Sequence, residues 1–376
     1  MRAIWRPTLD GLIPYQTGKS LEALAAELGL PDLVRLSANE NPLGPSPRVV
    51  AAIAREASRV HLYPDGGSTA LREALGPRLG VAPQQILVGN GADELLSLLG
   101  IATLEPGDDV VLPHPSFEPY TTVAQIAGAE PIASPLAGYD TDLDDMRRRI
   151  TPRTKMVFVC SPHNPAGTIV RRAALTAFLE SLGADPPLVV LDEAYRDFCD
   201  DPDYPDGATL LARHPRVIIL RTFSKIAALA GLRVGYAVAS SESIDRLNRV
   251  RAPYNVNRLG QVAALAALED EDHWNKSRQV VIEERAFLSR ELARVGLSFP
   301  LSQANFLLVK VRDGALARDR LLHAGLVVRD GAAVGFANHL RISVGLREAN
   351  ERVVEVLAGL EMEALGVPRG TRDAVR

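Results

Sequence analysis

The stretch Val217–Tyr236, VIILRTFSKIAALAGLRVGY, joins two kinds of chemistry that rarely sit together. An unbroken apolar run, Val217-Ile218-Ile219-Leu220, ends at Thr222-Phe223-Ser224-Lys225, a lone amine beside two hydroxyls. Short apolar runs without alternation mark strands covered on both faces. A lysine at the mouth of such a strand is either a solvated strand end or an active-site amine. In the second case burial lowers its pKa from the model value of about 10.4. What stands at the ends of the other strands decides between the two.

Further runs share this texture: QILVGN, DVVLPH, KMVFVCSP, LVVLDEA and RVGYAVAS. Amphipathic segments such as ADELLSLLGIATL and RAALTAFLESLG lie between them, the latter closed by Gly183 as a helix stop. Strand–helix alternation predicts an α/β fold, a three-layer, mostly parallel sheet with helices on both faces. A chain of 376 residues is too long for one ordinary core, so a second unit is expected. Beyond the alternating region, a helical stretch at about 257–295 leads into ANFLLVKV and HLRISVG, which read as strands of a smaller α+β unit. The expected division is an N-terminal arm and part of the small domain over 1–45, a large domain over 46–265, and a small C-terminal domain over 266–376. The loop SANENPLGPSP is too rich in Pro and Asn for the interior of either regular element.

Bulk composition narrows the function classes. Apolar residues make up 47% and charged residues 23%, as in a soluble globular protein. A net charge of −4 without a long basic run gives no reason to expect nucleic acid or an anionic membrane as partner. The opening MRAIWRPTLDGLIPYQTGK lacks the apolar core of a signal peptide, so a cytoplasmic protein is expected. Two cysteines, Cys160 and Cys199, fit neither a disulfide framework nor a metal cluster.

Ligands of open α/β sheets bind beyond the carboxyl ends of the strands, and polar groups collect there in this sequence. After ILV comes Gly89-Asn90-Gly91-Ala92-Asp93-Glu94, a helix opening whose free N–H groups suit a phosphate. After VVL comes His114-Pro115-Ser116-Phe117, and after MVFVC comes Ser161-Pro162-His163-Asn164-Pro165. LVVL is followed by Asp192-Glu193-Ala194-Tyr195, and VIIL by the opening stretch, with Arg233 after Gly231. Singly, each has an ordinary structural role: Asp192 a helix cap, Asn164 a turn residue, Phe117 core, Arg233 a surface charge. Gly89 and Gly91 also make a weak dinucleotide-type glycine pattern, which leaves a dinucleotide-binding oxidoreductase as a competing reading. Together the groups ask for one ligand with a phosphate, a flat ring, a ring nitrogen facing a carboxylate, and a carbonyl facing lysine. Pyridoxal phosphate meets that description.

The chain resembles the fold type I pyridoxal-phosphate aminotransferases, and among them the histidinol-phosphate aminotransferases. The resemblance spans about residues 10–360 and rests on motifs in order, including ANENPLGPSP, YPDGGSTALREAL, SPHNPAGT, LDEAYRDF, TFSKIAALAGLRVGY, APYNVN and LRISVG. It implies that Lys225 bonds the cofactor aldehyde and then serves as general base. Asp192 pairs with the pyridine nitrogen, Asn164 and Tyr195 bond the ring oxygen, and Phe117 stacks on the ring. Ala92, Asp93, Thr222, Ser224 and Arg233 hold the cofactor phosphate, with Tyr63 reaching in from a neighbouring subunit of a homodimer. Tyr15, Asn39, Tyr254, Arg329 and Arg341 line the substrate pocket. The implied reaction takes L-histidinol phosphate and 2-oxoglutarate to imidazole acetol phosphate and L-glutamate; relatives acting on phenylalanine or tyrosine keep much the same set. Departures from the usual pattern are Phe117 for tyrosine, His163 for asparagine, and Ala227-Ala228 for a pair ending in glycine.

Overall fold

The computed structural model describes residues 4–12, 20–30 and 32–364, so Tyr15 lies outside the described residues. Its strands are β1 Val34–Leu36, β2 Ile86–Gly89, β3 Asp109–His114, β4 Glu130–Pro135, β5 Thr154–Cys160, β6 Leu188–Asp192, β7 Val217–Thr222, β8 Gly235–Val238, β9 Phe306–Lys310, β10 Leu326–Asp330 and β11 His339–Ser343.

Seven strands form one sheet in the order β2-β8-β7-β6-β5-β3-β4. Only β8 runs antiparallel, to both β2 and β7. The mostly parallel sheet expected from the apolar runs is present, and every one of those runs lies in it. The edge strand β4 gave no apolar run to read. Its sequence EPIASP carries two prolines, which an edge tolerates because one side has no partner to receive an N–H.

Alternation along the strands builds two separate layers of core. Val189, Leu191, Val217 and Ile219 face one side of the sheet and join Leu75, Phe178 and Ala263 from helices. Val190, Ile218 and Leu220 face the other and join Leu95, Leu99, Tyr120 and Leu247. Each such side chain, wholly removed from water, contributes about 1.5–3 kcal/mol. That is why these strands are apolar throughout rather than at every second residue.

The second sheet has the order β1-β10-β11-β9, parallel in its first pair and antiparallel in the others. One strand precedes the large sheet in sequence and three follow it, so both ends of the chain build this smaller unit. Leu36, Val328, Leu340 and Ile342 cover one face and pack on Leu288, Leu292, Val353 and Leu357 of the helices Glu271–Arg294 and Arg347–Ala364. The opposite face looks toward the carboxyl ends of the large sheet. Among the described residues, no helix is long and apolar enough to cross a membrane.

Close packing between β8 and the helix Ala92–Thr103 fixes where that helix starts. A Cβ on Gly235 would lie 2.7 Å from the Ala92 nitrogen and 2.8 Å from the Gly91 carbonyl carbon, both backbone atoms that cannot swing aside. Gly235→Ala is expected to cost about 1–3 kcal/mol by overpacking. The check is the denaturant midpoint; an unchanged midpoint would mean that β8 and the helix separate freely.

Candidate active site

The carboxyl ends of β3, β5, β6 and β7 and the free face of the small sheet enclose a cavity of about 690 Å³. Phe117, Asn164, Tyr195, Lys225, Asn39, Arg329 and Arg341 all line it. The topology therefore brings together residues from across the whole chain.

Lys225 follows β7, and its Nζ donates to the Ala38 carbonyl at 3.1 Å. Burial lowers its pKa to about 8, and the positive charge of Arg341 lowers it further in the same direction. The half-buried lysine is thus an amine that sheds its proton more readily than one in free solvent, as an active-site role would require.

Asp192, the last residue of β6, is buried. Its Oδ2 accepts from the Tyr120 hydroxyl at 2.6 Å and its Oδ1 from the Ala194 N–H at 3.1 Å. Burial raises its pKa to about 6, and the Tyr120 hydrogen bond opposes that rise. Burial, and then the Asp192 charge, push the Tyr120 hydroxyl well above its ordinary range, so it acts only as a donor. Phe158 stacks on the Tyr120 ring at 4.4 Å and holds it there. Sequence reading missed Tyr120. Its signal was a tyrosine on the buried side of a helix start, where a polar tip needs a partner.

Tyr195 is buried, and its hydroxyl accepts from Asn39 Nδ2 at 3.1 Å. Burial raises its pKa to about 12. Asn39 is held from several sides. Its N–H donates to Ser343 Oγ at 2.9 Å, its Oδ1 accepts from that hydroxyl at 3.1 Å, and its carbonyl accepts from Asn305 at 2.9 Å. Those bonds hold it at φ 55, a left-handed conformation that non-glycine residues avoid.

The residues expected to hold a phosphate cluster at the start of the helix Ala92–Thr103 and the end of β7. No side chain caps the helix that opens at Ala92, leaving its first N–H groups available. Arg233 Nη2 donates to Asp93 Oδ2 at 2.8 Å, and the charges of both act on Lys225. Gly91, at φ 81, has no Cβ where one would meet the Arg233 guanidinium at 2.5 Å. Thr222 and Ser224 are buried next to it, the Ser224 N–H donating to Thr222 Oγ1 at 3.0 Å. A cationic side chain, two hydroxyls and a helix start fit an anion. Asp192, Thr222, Ser224 and Arg233 do not line the cavity that holds Lys225, but Asp192 ends the neighbouring strand β6. A buried carboxylate, a lysine with a lowered pKa and this anion-type donor set are together the chemistry that pyridoxal phosphate needs.

On the small sheet, Arg341 donates from Nη1 to Asn164 Oδ1 at 2.7 Å and from Nη2 to the Ser37 carbonyl at 2.8 Å. Arg329 is its partner across β10 and β11, and makes no hydrogen bond or ion pair among the described residues. Tyr63 and Tyr254 lie apart from this cavity. Their rings stack at 4.7 Å, and they are 78% and 48% exposed. His163, left open by the sequence, is buried away from the cavity wall with Nδ1 facing the Ala166 N–H at 3.4 Å. Ala228 sits at φ 58, where the glycine usual at this place would carry no strain.

Residues 31–357 match the family Aminotransferase class I and II, and the chain belongs to that family. Its branch is that of the histidinol-phosphate aminotransferases. It is 46% identical over 356 residues to the histidinol-phosphate aminotransferase of Moorella thermoacetica, covering 94% of this chain and 92% of the relative. It is 43% identical over 354 residues to that of an Anaeromyxobacter species, covering 93% and 97%. The crystal structure of the Sinorhizobium meliloti histidinol-phosphate aminotransferase in complex with pyridoxal-5'-phosphate superposes with a TM-score of 0.87 at 28% identity, over 97% of this chain and 99% of that one. A double mutant of Thermus thermophilus aspartate aminotransferase shares the architecture, with a TM-score of 0.81 at 26% identity over 96% and 100%.

Two predictions follow from the buried charges. Tyr120→Phe removes the donor that favours the ionised form of the Asp192 carboxyl, which would weaken any pairing of that carboxylate with the cofactor. Cofactor affinity should fall roughly tenfold, about 1.4 kcal/mol. Titrating the apoprotein with pyridoxal phosphate by fluorescence quenching measures it, and equal affinities would show that Tyr120 only fills space. The Lys225 pKa is lowered from 10.5 to about 8, so the unfolded chain binds this proton more tightly. The resulting penalty is full below about 8 and vanishes above the unfolded value. Apo Lys225→Met should therefore melt above the wild type at pH 7, with the gap closing toward pH 10. A gap that stays constant with pH would contradict the lowered pKa.

Proposed function

We propose that the chain transfers the amino group of L-histidinol phosphate to 2-oxoglutarate, giving imidazole acetol phosphate and L-glutamate, with pyridoxal phosphate as cofactor. The observation that carries this reading is one cavity holding Lys225 at its floor and the cross-strand pair Arg329 and Arg341 on its wall. When bound, pyridoxal phosphate supplies an electron-accepting ring that stabilises negative charge at the substrate Cα.

The chain's own residues do the rest. Lys225 Nζ is the amine that would hold the cofactor aldehyde, and when free it would serve as the base for the proton at the substrate Cα. Its lowered pKa leaves it neutral often enough to act as a base near pH 8. Asp192 holds a proton on the ring nitrogen. Tyr120 and the Ala194 N–H keep that carboxylate oriented. Asn164 and Tyr195 hold the ring oxygen, while Phe117 covers a ring face and excludes water from it. Ala92, Asp93, Thr222, Ser224 and Arg233 hold the cofactor phosphate.

Substrate recognition belongs to the small-sheet side. Arg341 and Arg329 grip the anionic group with planar forks, and Asn39 positions the reacting end. The exposed Tyr63–Tyr254 stack, with Val60 and Leu62 exposed beside Tyr63, is a patch suited to burial against a second copy. A symmetric homodimer would bring Tyr63 of one subunit to the cofactor phosphate of the other. The cytoplasm is the expected compartment.

The test is a set of half-reactions on purified holoenzyme, followed by the visible band. L-histidinol phosphate and L-glutamate should bleach the yellow band at least tenfold faster than L-phenylalanine, given the loss incurred when buried cations are left unpaired. Fast bleaching by phenylalanine with no response to histidinol phosphate would move the substrate to the aromatic amino acids.

A further inference from the structure

The face of the small sheet that looks into the cavity carries one more arginine than the reading above uses. Arg35 stands on β1 opposite Val327 of β10. Side chains two apart on a strand share a face, so Val327 and Arg329 point the same way, and Arg341 is the cross-strand partner of Arg329. The core partners Leu36 and Val328 point to the other side. Arg35, Arg329 and Arg341 thus form a row on one face, and all three line the cavity that holds Lys225. Strand spacing and rise put the backbones of Arg35 and Arg329 about 8 Å apart, within the joint reach of two guanidinium side chains.

Arg35 differs from its neighbours in what holds it. Its guanidinium is bound by both oxygens of Glu40, with Nε donating to Oε2 at 2.6 Å and Nη2 to Oε1. The pair is open to solvent, the side chains being 42% and 32% exposed. Exposed ion pairs of this kind are weak and give way to a better anion. Glu40 also acts on the cavity floor, where its charge raises the Lys225 pKa against the effect of Arg341.

We propose that Arg35 is a third cation for the phosphate of the substrate, held at the cavity mouth by Glu40 until a phosphomonoester dianion displaces that carboxylate. The proposal rests on the substrate reading given above. A single carboxylate is satisfied by one fork, whereas a dianionic phosphate offers three oxygens and accepts from several. Exchange of Glu40 for phosphate leaves Arg35 paired at every stage, so no guanidinium is stranded. The exchange also frees Glu40 to face solvent.

The experiment compares L-histidinol phosphate with unphosphorylated L-histidinol in holoenzyme half-reactions of wild type, Arg35→Gln, Arg35→Lys and Glu40→Gln. Inorganic phosphate serves as a competing anion. In Arg35→Gln the apparent affinity for histidinol phosphate and for inorganic phosphate should fall about tenfold, through KM with little change in the limiting rate. The affinity for L-histidinol should stay within about twofold. Arg35→Lys should recover part of the loss, and Glu40→Gln should tighten both phosphate ligands by about two- to fivefold. Equal losses on the two amines in Arg35→Gln, or none, would overturn the proposal while leaving the substrate reading intact. A wild type that does not turn over histidinol phosphate at all would overturn both.

Discussion

The guanidinium of Arg341 ties the two halves of the active site together. It projects from β11 of the small sheet, yet it donates to Asn164 on the large-sheet loop and to the Ser37 carbonyl just after β1. It is 8% exposed and lies over the Phe306 ring at 5.5 Å. A cation removed from water this far must be hydrogen-bonded in a fixed geometry, and a planar fork is the side chain best suited to that. Three stretches distant in sequence are therefore placed relative to one another at the point where a substrate anion would arrive. Lysine in this place would keep the charge and lose the two-directional bonding. The same charge lowers the pKa of Lys225, so anchoring and activation share one residue.

Burial moves the two groups nearest the chemistry in opposite senses. It lowers Lys225 to about 8 and raises Asp192 to about 6. Each is brought toward neutrality from its own side, as suits a base that must release its proton and a carboxylate that must hold a partner's proton. Neither shift would survive if the cavity floor were open to water, so the apolar layers around β6 and β7 are part of the chemistry. Left-handed backbone occurs at Asn39, Ala228 and Arg233 around the expected site, and also at Ser68, Tyr254 and Asn338. Such conformations persist only where neighbours over-determine them, and the four bonds to Asn39 show how.

Much of this was legible in the sequence, for a physical reason. Parallel strands covered on both faces must be apolar along their length, and that texture ends abruptly where a ligand needs polar atoms. Hence β2, β3, β5, β6, β7 and β8, with Lys225, Asp192 and Asn164 at their ends, could be read directly. What could not be read depends on contacts between distant segments. Tyr120 reaches Asp192 only because a helix packs across the sheet, and β1 and β4 are too short or too polar to announce themselves. The Arg35–Glu40 pair reads as an ordinary surface charge pair until β1 is known to join β10. Tyr63, expected to reach the cofactor phosphate of a neighbouring subunit, and Tyr254, expected in the substrate pocket, stack on each other at the surface, a placement that no local sequence pattern announces.

In the reading proposed above, chemistry and recognition occupy separate sheets, which would let one architecture serve different substrates. The double mutant of Thermus thermophilus aspartate aminotransferase has the same overall form at 26% identity, so the form does not choose the substrate. In the proposed reading the choice falls to the wall that shares the cavity with Lys225. There Arg329 and Arg341 stand directly across from each other on neighbouring strands, a like-charge juxtaposition that destabilises a sheet. Asn164 and the Ser37 carbonyl offset one of these charges and leave Arg329 with no such compensation among the described residues. A dianion placed between the two forks relieves that repulsion more fully than a single carboxylate does. In the substrate reading proposed above, a preference for a phosphorylated amine would follow from this juxtaposition of two cations across neighbouring strands.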